Sequence, residues 1–509
     1  MSEKTKRITN DTVIVILILV LSKVLGLFKQ ILAASLFGAT ISTDIINLSQ
    51  DFFANIDYVF SQVIVTAFTT IYIYTIEKDE EKAKRLIIDT LKVFVLFSLV
   101  CTLIAFFASP LISRVLAPSY SQENLDSLSK YLKLYSFSLV LLIPISVLSS
   151  ILNARKRFIL RELAILLQNV VLILAIYIFA DKLGVNAFVV ATYSYIVISI
   201  IYLAFFTRKY VKVNKDFVFT NPFKSTEIKA LFKMALPLLI GYSMVYINQQ
   251  VAKIVVSGFE EGTVTALGYA NVLFNLVNSI VLAVLTIVFT HITSYIANDK
   301  REEAFKMFRN TSVILLTAII PACFVVYFFS KEIVTVVFGY GHFGEDAIVK
   351  ASTALLGYSF CFIPFLIKSM LVNYQFSNKS TKWVTINSCI SIGANVGLCI
   401  LLGHYLGVFG VTLATTISES ICAVANLIIV KWKYKEFVFS KYIRFIILSA
   451  IGCGLCFLVN FLLSNYMPSI NPWLTLVITA FATYGAFGVC LLPEIISFIK
   501  SRSVKNEQA

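Results

Sequence analysis

Charge is scarce in this chain: 14% of its 509 residues are Asp, Glu, Lys or Arg, and only three are histidine. No Walker loop, H-E-x-x-H or G-x-S-x-G occurs, and no break between apolar runs has room for a soluble catalytic domain. These absences exclude ATP-driven pumping by the chain itself and leave no catalytic residues to assign. His291, His342 and His404 stand apart from one another, so no metal centre is expected. The nine cysteines (Cys101, Cys323, Cys361, Cys389, Cys399, Cys422, Cys453, Cys456 and Cys490) all fall inside apolar runs, which argues against a disulfide framework. Cys453 and Cys456 form a C-x-x-C, but without a second pair they read as small buried hydrophobes. The stub Met1 to Arg7 leads into further apolar sequence with no small-residue cleavage site, so no removable signal peptide is expected.

What fills the chain instead is hydrophobic sequence, at 58%. Apolar stretches of about 20 residues, enough to cross roughly 30 Å of hydrocarbon, follow one another from Asp11 to Lys500. Fourteen are expected, beginning at 11–36 and 43–75 and ending at 442–464 and 472–498. The fold class is therefore an all-α polytopic membrane protein. The net charge of +15 is concentrated in alternate breaks, among them Lys4, Lys6 and Arg7; Lys78, Lys82, Lys84 and Arg85; Arg155, Lys156, Arg157 and Arg161; and Lys431, Lys433, Lys435, Lys441 and Arg444. The intervening breaks hold only Arg114, Lys182, Lys331 and Lys350. By the positive-inside rule both termini are cytoplasmic, and the basic excess is a topology signal that calls for a lipid bilayer and no nucleic acid.

Internal repeats refine the architecture. LGVNAFVVAT at 183–192 recurs as LGVFGVTLAT at 406–415, and LYSF at 134–137 returns as GYSF at 357–360, both at a shift of 223. The shift carries span four onto span ten and span six onto span twelve. The reading is two parallel six-helix lobes with spans thirteen and fourteen appended. The expected boundaries are an N-lobe at 1–207, a C-lobe at 208–435 with a basic cytoplasmic linker at 207–228, and a last pair of spans with a tail at 436–509.

A charge at the bilayer centre costs at least roughly 2.5–3.5 kcal/mol on insertion scales, so each one needs a partner, water or a task. Span one carries Lys23 and Lys29; span two carries Asp44, Gln50, Asp51, Asp57 and Gln62. In an antiparallel hairpin turning near Phe37 to Ser42, Lys29 lies level with Asp51 and Lys23 with Asp57. The alternatives are ion bridges that join two helices and a hydrated cavity, and so many titratable groups favour the cavity. Lys253, beside Asn248, Gln249 and Gln250, either lines that cavity or snorkels to the outer interface. Lys368, Lys92 and Lys233 are expected to snorkel, and Glu419 has no cation at matched depth. Asn271, Asn275 and Asn278 share one helical face, suited to sugar hydroxyls or to a neighbouring helix.

The stretch SKVLGLFKQILAASLFGATISTD resembles the opening signature of the MurJ (MviN) lipid II flippases, a pattern of S-R-V-L-G-x-x-R-D, F-G and T-D. Ser22, Val24, Leu25, Gly26, Phe37, Gly38, Thr43 and Asp44 match it in register. FGYGHF at 338–343 is similar to the family's F-x-Y-G-x-F, and Tyr269-Ala270 to its Y-A-D-R. The resemblance implies a monomer in the bacterial cytoplasmic membrane that flips an undecaprenyl-diphosphate-linked saccharide, with no cofactor and with coupling to membrane potential or a monovalent cation. It implies lobes that rock between two open states and a lipid-tail groove at spans thirteen and fourteen. Lys23 and Lys29 stand at family arginines, and Asp44 at the family aspartate. The substrate set is then Lys23, Lys29, Asp44, Lys253, Lys368, Asn271 and Asn275, with Asp51, Asp57, Gln62 and Glu419 for coupling or gating. Two family arginines align with Asp57 and Val272 here, which keeps a Wzx-type polysaccharide flippase open. A MATE-type cation-coupled drug antiporter, with Asp51 and Asp57 binding sodium or protons, is the other alternative.

Overall fold

The structure, a computed structural model, describes residues 3–211, 221–435, 437, 442–466 and 471–506. Of the expected basic linker 207–228, residues 212–220 lie outside that description, as do Lys441 and the last three residues of the tail. Among the described residues every regular element is helical.

The chain divides into two compact units, Met1–Thr265 with Gly341–Phe343, and Ala266–Tyr340 with Gly344–Ala509. The first holds α1 (Glu3–Phe37), α2 (Ile41–Val63), α3 (Thr69–Lys78), α4 (Glu80–Leu116), α5 (Gln122–Ser136), α6 (Ser138–Ala154), α7 (Phe158–Leu183), α8 (Ala187–Thr207) and α9 (Thr226–Val256). α10 (Thr263–Ala297) starts in the first unit and runs into the second, which continues with α11 (Arg301–Phe338), α12 (Glu345–Tyr358), α13 (Phe362–Ser377), α14 (Lys382–Lys433), α15 (Ile443–Tyr466) and α16 (Pro472–Asn506).

These helices make the fourteen expected crossings once their breaks are read. A single turn of π-helix, Ile64–Phe68, joins α2 to α3, so Ile41–Lys78 is one crossing with a local bulge. α5 and α6 form one span, and α12 and α13 form another that bends by 45°. Two runs are far too long for one crossing: Phe158–Thr207 has 50 residues and Lys382–Lys433 has 52. Each is broken by a glycine with left-handed φ, Gly184 (φ 53, ψ −138) and Gly407 (φ 60, ψ −143). Those angles are close to forbidden for a residue with a Cβ, so the Leu-Gly-Val repeat encodes the same sharp turn twice.

Packing in the first unit centres on Val63, Ile64, Phe68, Tyr72, Ile87, Val147, Ile151, Leu203 and Leu231, contributed by α2, α3, α4, α6, α8 and α9. α1 lies along α7, which also packs on α8. In the second unit α15 and α16 pack on each other and on α11 through Phe324, Phe445, Cys456 and Phe487. Gly452 makes room for this: a Cβ there would stand 2.7 Å from the Phe487 ring. Asn460 locks the pair, donating to Thr483 Oγ1 at 2.9 Å inside the apolar interface. Large side chains such as Phe107, Ile104, Leu111, Phe481 and Val489 are exposed on the helix flanks, the surface that lipid covers.

Candidate functional site

The expected polar residues of the first unit fall in two places: Lys23 and Lys29 on α1, which packs on α7, and Asp51 and Lys253 where α2 meets α9. Ser22 is buried, and its carbonyl accepts from Asn169 Nδ2 on α7 at 3.3 Å. That contact fixes the face of α1 and leaves Lys23 exposed and Lys29 half-buried. Among the described residues neither lysine forms an ion pair. Asp51 is the carboxylate expected level with Lys29 in an α1–α2 hairpin, but α1 packs chiefly on α7. Its direct partner is a different cation, Lys253 on α9, whose Nζ lies 2.5 Å from Asp51 Oδ2. Snorkelling of Lys253 is thereby overturned: its ammonium turns onto α2 and leaves only 15% of its side chain exposed. One turn earlier on α9, Gln250 is buried with neither end of its amide hydrogen-bonded among the described residues.

Asp57 does not meet Lys23. Ser61 Oγ donates to its Oδ1 at 3.4 Å, and Ser61 in turn meets Ser146 of α6 at 2.5 Å. Gln62 is half-buried on the same helix, apart from these contacts. Gln50 donates to Thr192 on α8 at 3.3 Å, which ties α2 to the interior of the unit.

Asp44 holds backbone. Thr40 and Thr43 cap α2 reciprocally, Thr40 N–H donating to Thr43 Oγ1 at 2.8 Å and Thr43 N–H to Thr40 Oγ1 at 3.4 Å. Asp44 then sits in the first turn with 1% of its surface exposed. Its Oδ2 accepts from Gly262 N–H at 2.7 Å and its Oδ1 from Thr265 N–H at 2.8 Å, so both oxygens cap the start of α10. Gly262 (φ 81) has no Cβ to strike the Ala39 carbonyl. Close by, the strap Gly341–Phe343 docks on the end of α1: His342 N–H donates to Ser35 O at 2.8 Å, and Gly341 (φ 62) presses against the same residue's backbone. The matched Phe-Gly and Gly-Tyr-Gly-His-Phe motifs are thus two sides of one contact.

The second polar group lies in the second unit. Lys368 on α13 and Glu419 on α14 form an ion pair at 2.6 Å, which overturns both the snorkelling expected of Lys368 and the missing cation expected for Glu419. The Lys368 ammonium also lies 5.1 Å from the Phe365 ring centroid. Asn275 Nδ2 donates to Asn271 Oδ1 at 2.8 Å on the accessible side of α10, while Asn278 on the same face is buried. Sequence reasoning missed Asp89, fully buried on α4 between Arg85 (3.4 Å) and Lys92 (3.6 Å). Its signal was present in the i, i±3 and i, i±4 spacing, and it corrects the snorkelling expected of Lys92. Also missed was a buried amide cluster, with Gln375 Nε2 and Asn387 Nδ2 both donating to Asn426 Oδ1, at 2.7 and 3.2 Å.

Comparison with known proteins bears on the family and the fold. The family model described as "Lipid II flippase MurJ" matches residues 33–478. A probable lipid II flippase MurJ of Buchnera aphidicola subsp. Schizaphis graminum is 25% identical over 421 residues, covering 81% of this chain and 80% of that protein. One from Borreliella burgdorferi is 23% identical over 430 residues, covering 82% and 83%. Among solved structures, a lipid II flippase MurJ in an inward closed conformation superposes with a TM-score of 0.80 at 22% identity, covering 95% of this chain and all of that one. An inward-facing MATE family transporter of the MOP superfamily gives 0.68 at 16%, covering 81% and 94%. At such identities the structural likeness speaks for the fold.

Proposed function

This chain belongs to the lipid II flippase MurJ family, and from that premise we propose that it carries an undecaprenyl-diphosphate-linked saccharide from the inner to the outer leaflet of a bacterial cytoplasmic membrane by alternating access. The observation that supports this cargo most directly is the lysine group of the first unit. Among the described residues Lys23 and Lys29 form no ion pair, and Lys253 pairs with Asp51. Three lysines against Asp51 and Asp57 leave a positive excess where a diphosphate would pass, and a lipid anion in hydrocarbon needs a counter-charge.

In this reading Lys23, Lys29 and Lys253 take the diphosphate, and Asn271 and Asn275 offer amides to the saccharide. Asp51 acts as a gate because it competes with the cargo for Lys253. Asp57, Gln62 and the Lys368–Glu419 pair serve coupling, and Asp44 positions the helix ends. Ammonium groups grip phosphate as point charges, whereas the family's arginines at these places offer a planar fork. Asp57 and Val272, at two further family arginines, favour as second reading a Wzx-type flippase with a different saccharide on the same diphosphate lipid.

The test is complementation in a host depleted of its own lipid II flippase. The full chain restores growth; Lys23→Ala/Lys29→Ala fails to restore it while still inserting in the membrane, and Lys23→Arg/Lys29→Arg succeeds. Full rescue by the alanine pair refutes the lysine role. Rescue of surface polysaccharide but not of growth selects the second reading.

A further inference from the structure

A cavity of about 530 Å³ opens between α4 and α5 in the first unit, away from the lysine group, lined by Phe106, Pro110, Asp126, Ser129, Lys130 and Lys133 with Leu134 and Phe137 at its edge. Its depth follows from α4, which starts among Glu80, Glu81, Lys84 and Arg85. Phe106 and Pro110 lie about 39–45 Å further along at 1.5 Å per residue, beyond the roughly 30 Å of hydrocarbon. The cavity therefore sits at headgroup level, on the face opposite the basic loops.

That face is poor in cations, yet two lysines one turn apart converge here. Lys130 is exposed, and the Lys133 ammonium lies 5.8 Å from the Phe106 ring centroid. Among the described residues neither has an ion-pair partner. Asp126, four residues before Lys130, is engaged instead by Gln122 Nε2 at 2.8 Å. The walls are fixed: Ser129 Oγ donates to Ser109 Oγ at 3.1 Å in the buried α4–α5 seam, and Phe106 meets Phe137 edge to face at 5.7 Å. Two ammonium groups against one carboxylate leave a single positive charge over an aromatic and aliphatic floor. A phosphodiester carries a single negative charge and, in a glycerolipid, is followed by methylenes.

We propose that this cavity is a headgroup site for an anionic glycerophospholipid of the leaflet opposite the basic loops, with Lys130 and Lys133 on the phosphate oxygens and Phe106, Pro110, Leu134 and Phe137 on the first methylenes of an acyl chain. The site is independent of the proposed cargo path. The test titrates the purified full chain in detergent with phosphatidylglycerol and, separately, with diacylglycerol, and counts bound lipid by native mass spectrometry. Phosphatidylglycerol binds the wild-type chain, and Lys130→Gln/Lys133→Gln weakens it about tenfold to thirtyfold, as the loss of two interfacial lysines requires. Lys130→Arg/Lys133→Arg restores binding, and Leu134→Trp, which fills the cavity without changing charge, lowers it. Melting temperatures close to wild type show that the variants are folded. Equal phosphatidylglycerol binding by the glutamine pair, or diacylglycerol bound as tightly as phosphatidylglycerol, overturns the proposal.

Discussion

Asp44 is among the most constrained side chains in the first unit because each of its oxygens already serves a backbone N–H. Asp44→Asn keeps one acceptor and sets an amide N–H against a backbone N–H. The loss of a charge-assisted bond costs about 1.5–3 kcal/mol, read as a lower melting temperature in detergent. Lys368 and Glu419 make a contrasting case. Removing either alone strands the other without its counter-charge, at roughly 1–3 kcal/mol for a pair this exposed, while Lys368→Ala/Glu419→Ala together cost less than the sum. A double-mutant cycle in thermal melting with no coupling energy would show that the pair is incidental. Lys23 and Lys29 could be found from sequence because a charge inside an apolar run is conspicuous. The partners of Lys253 and Lys368 could not, since depth matching along a hairpin compares only neighbouring spans. Asp51 and Lys253 are 202 residues apart, and Glu419 faces Lys368 across a bent span and a broken one.

Helix breaks carry as much information as the helices. Span count was readable because every crossing must satisfy its own backbone hydrogen bonds and so needs a long apolar run. Internal breaks were not, since the π-helical turn at Ile64–Phe68 and the bend between α12 and α13 leave the apolar pattern intact. Gly184 and Gly407 are the exception, because a repeated Leu-Gly-Val can be seen and its physical meaning is a repeated left-handed φ. Gly184→Ala and Gly407→Ala should each destabilise the chain by about 1–3 kcal/mol, the penalty of a Cβ at these sparsely populated angles, with similar drops in melting temperature. A Cβ at either position would meet open space, so the effect reports backbone strain alone. An unchanged melting temperature in both would mean the turns relax to helical angles.

At the scale of the whole molecule, a cycle that moves charge through the membrane feels its potential at about 2.3 kcal/mol per elementary charge per 100 mV. If the lysines of the first unit reset through that field, collapsing the potential in reconstituted vesicles slows flipping several-fold, measured as accessibility of a labelled lipid diphosphate. An unchanged rate would assign the driving force to a coupled ion. The strap Gly341–Phe343 has a consequence of another kind, because it completes a unit whose other residues end at Thr265. At roughly 5–20 residues per second, the ribosome delivers that last piece about 4–15 s after the rest of the unit has emerged. Until then Ser35 at the end of α1 lacks His342, so the nascent protein passes through the insertion machinery with one corner of its first half still unfastened.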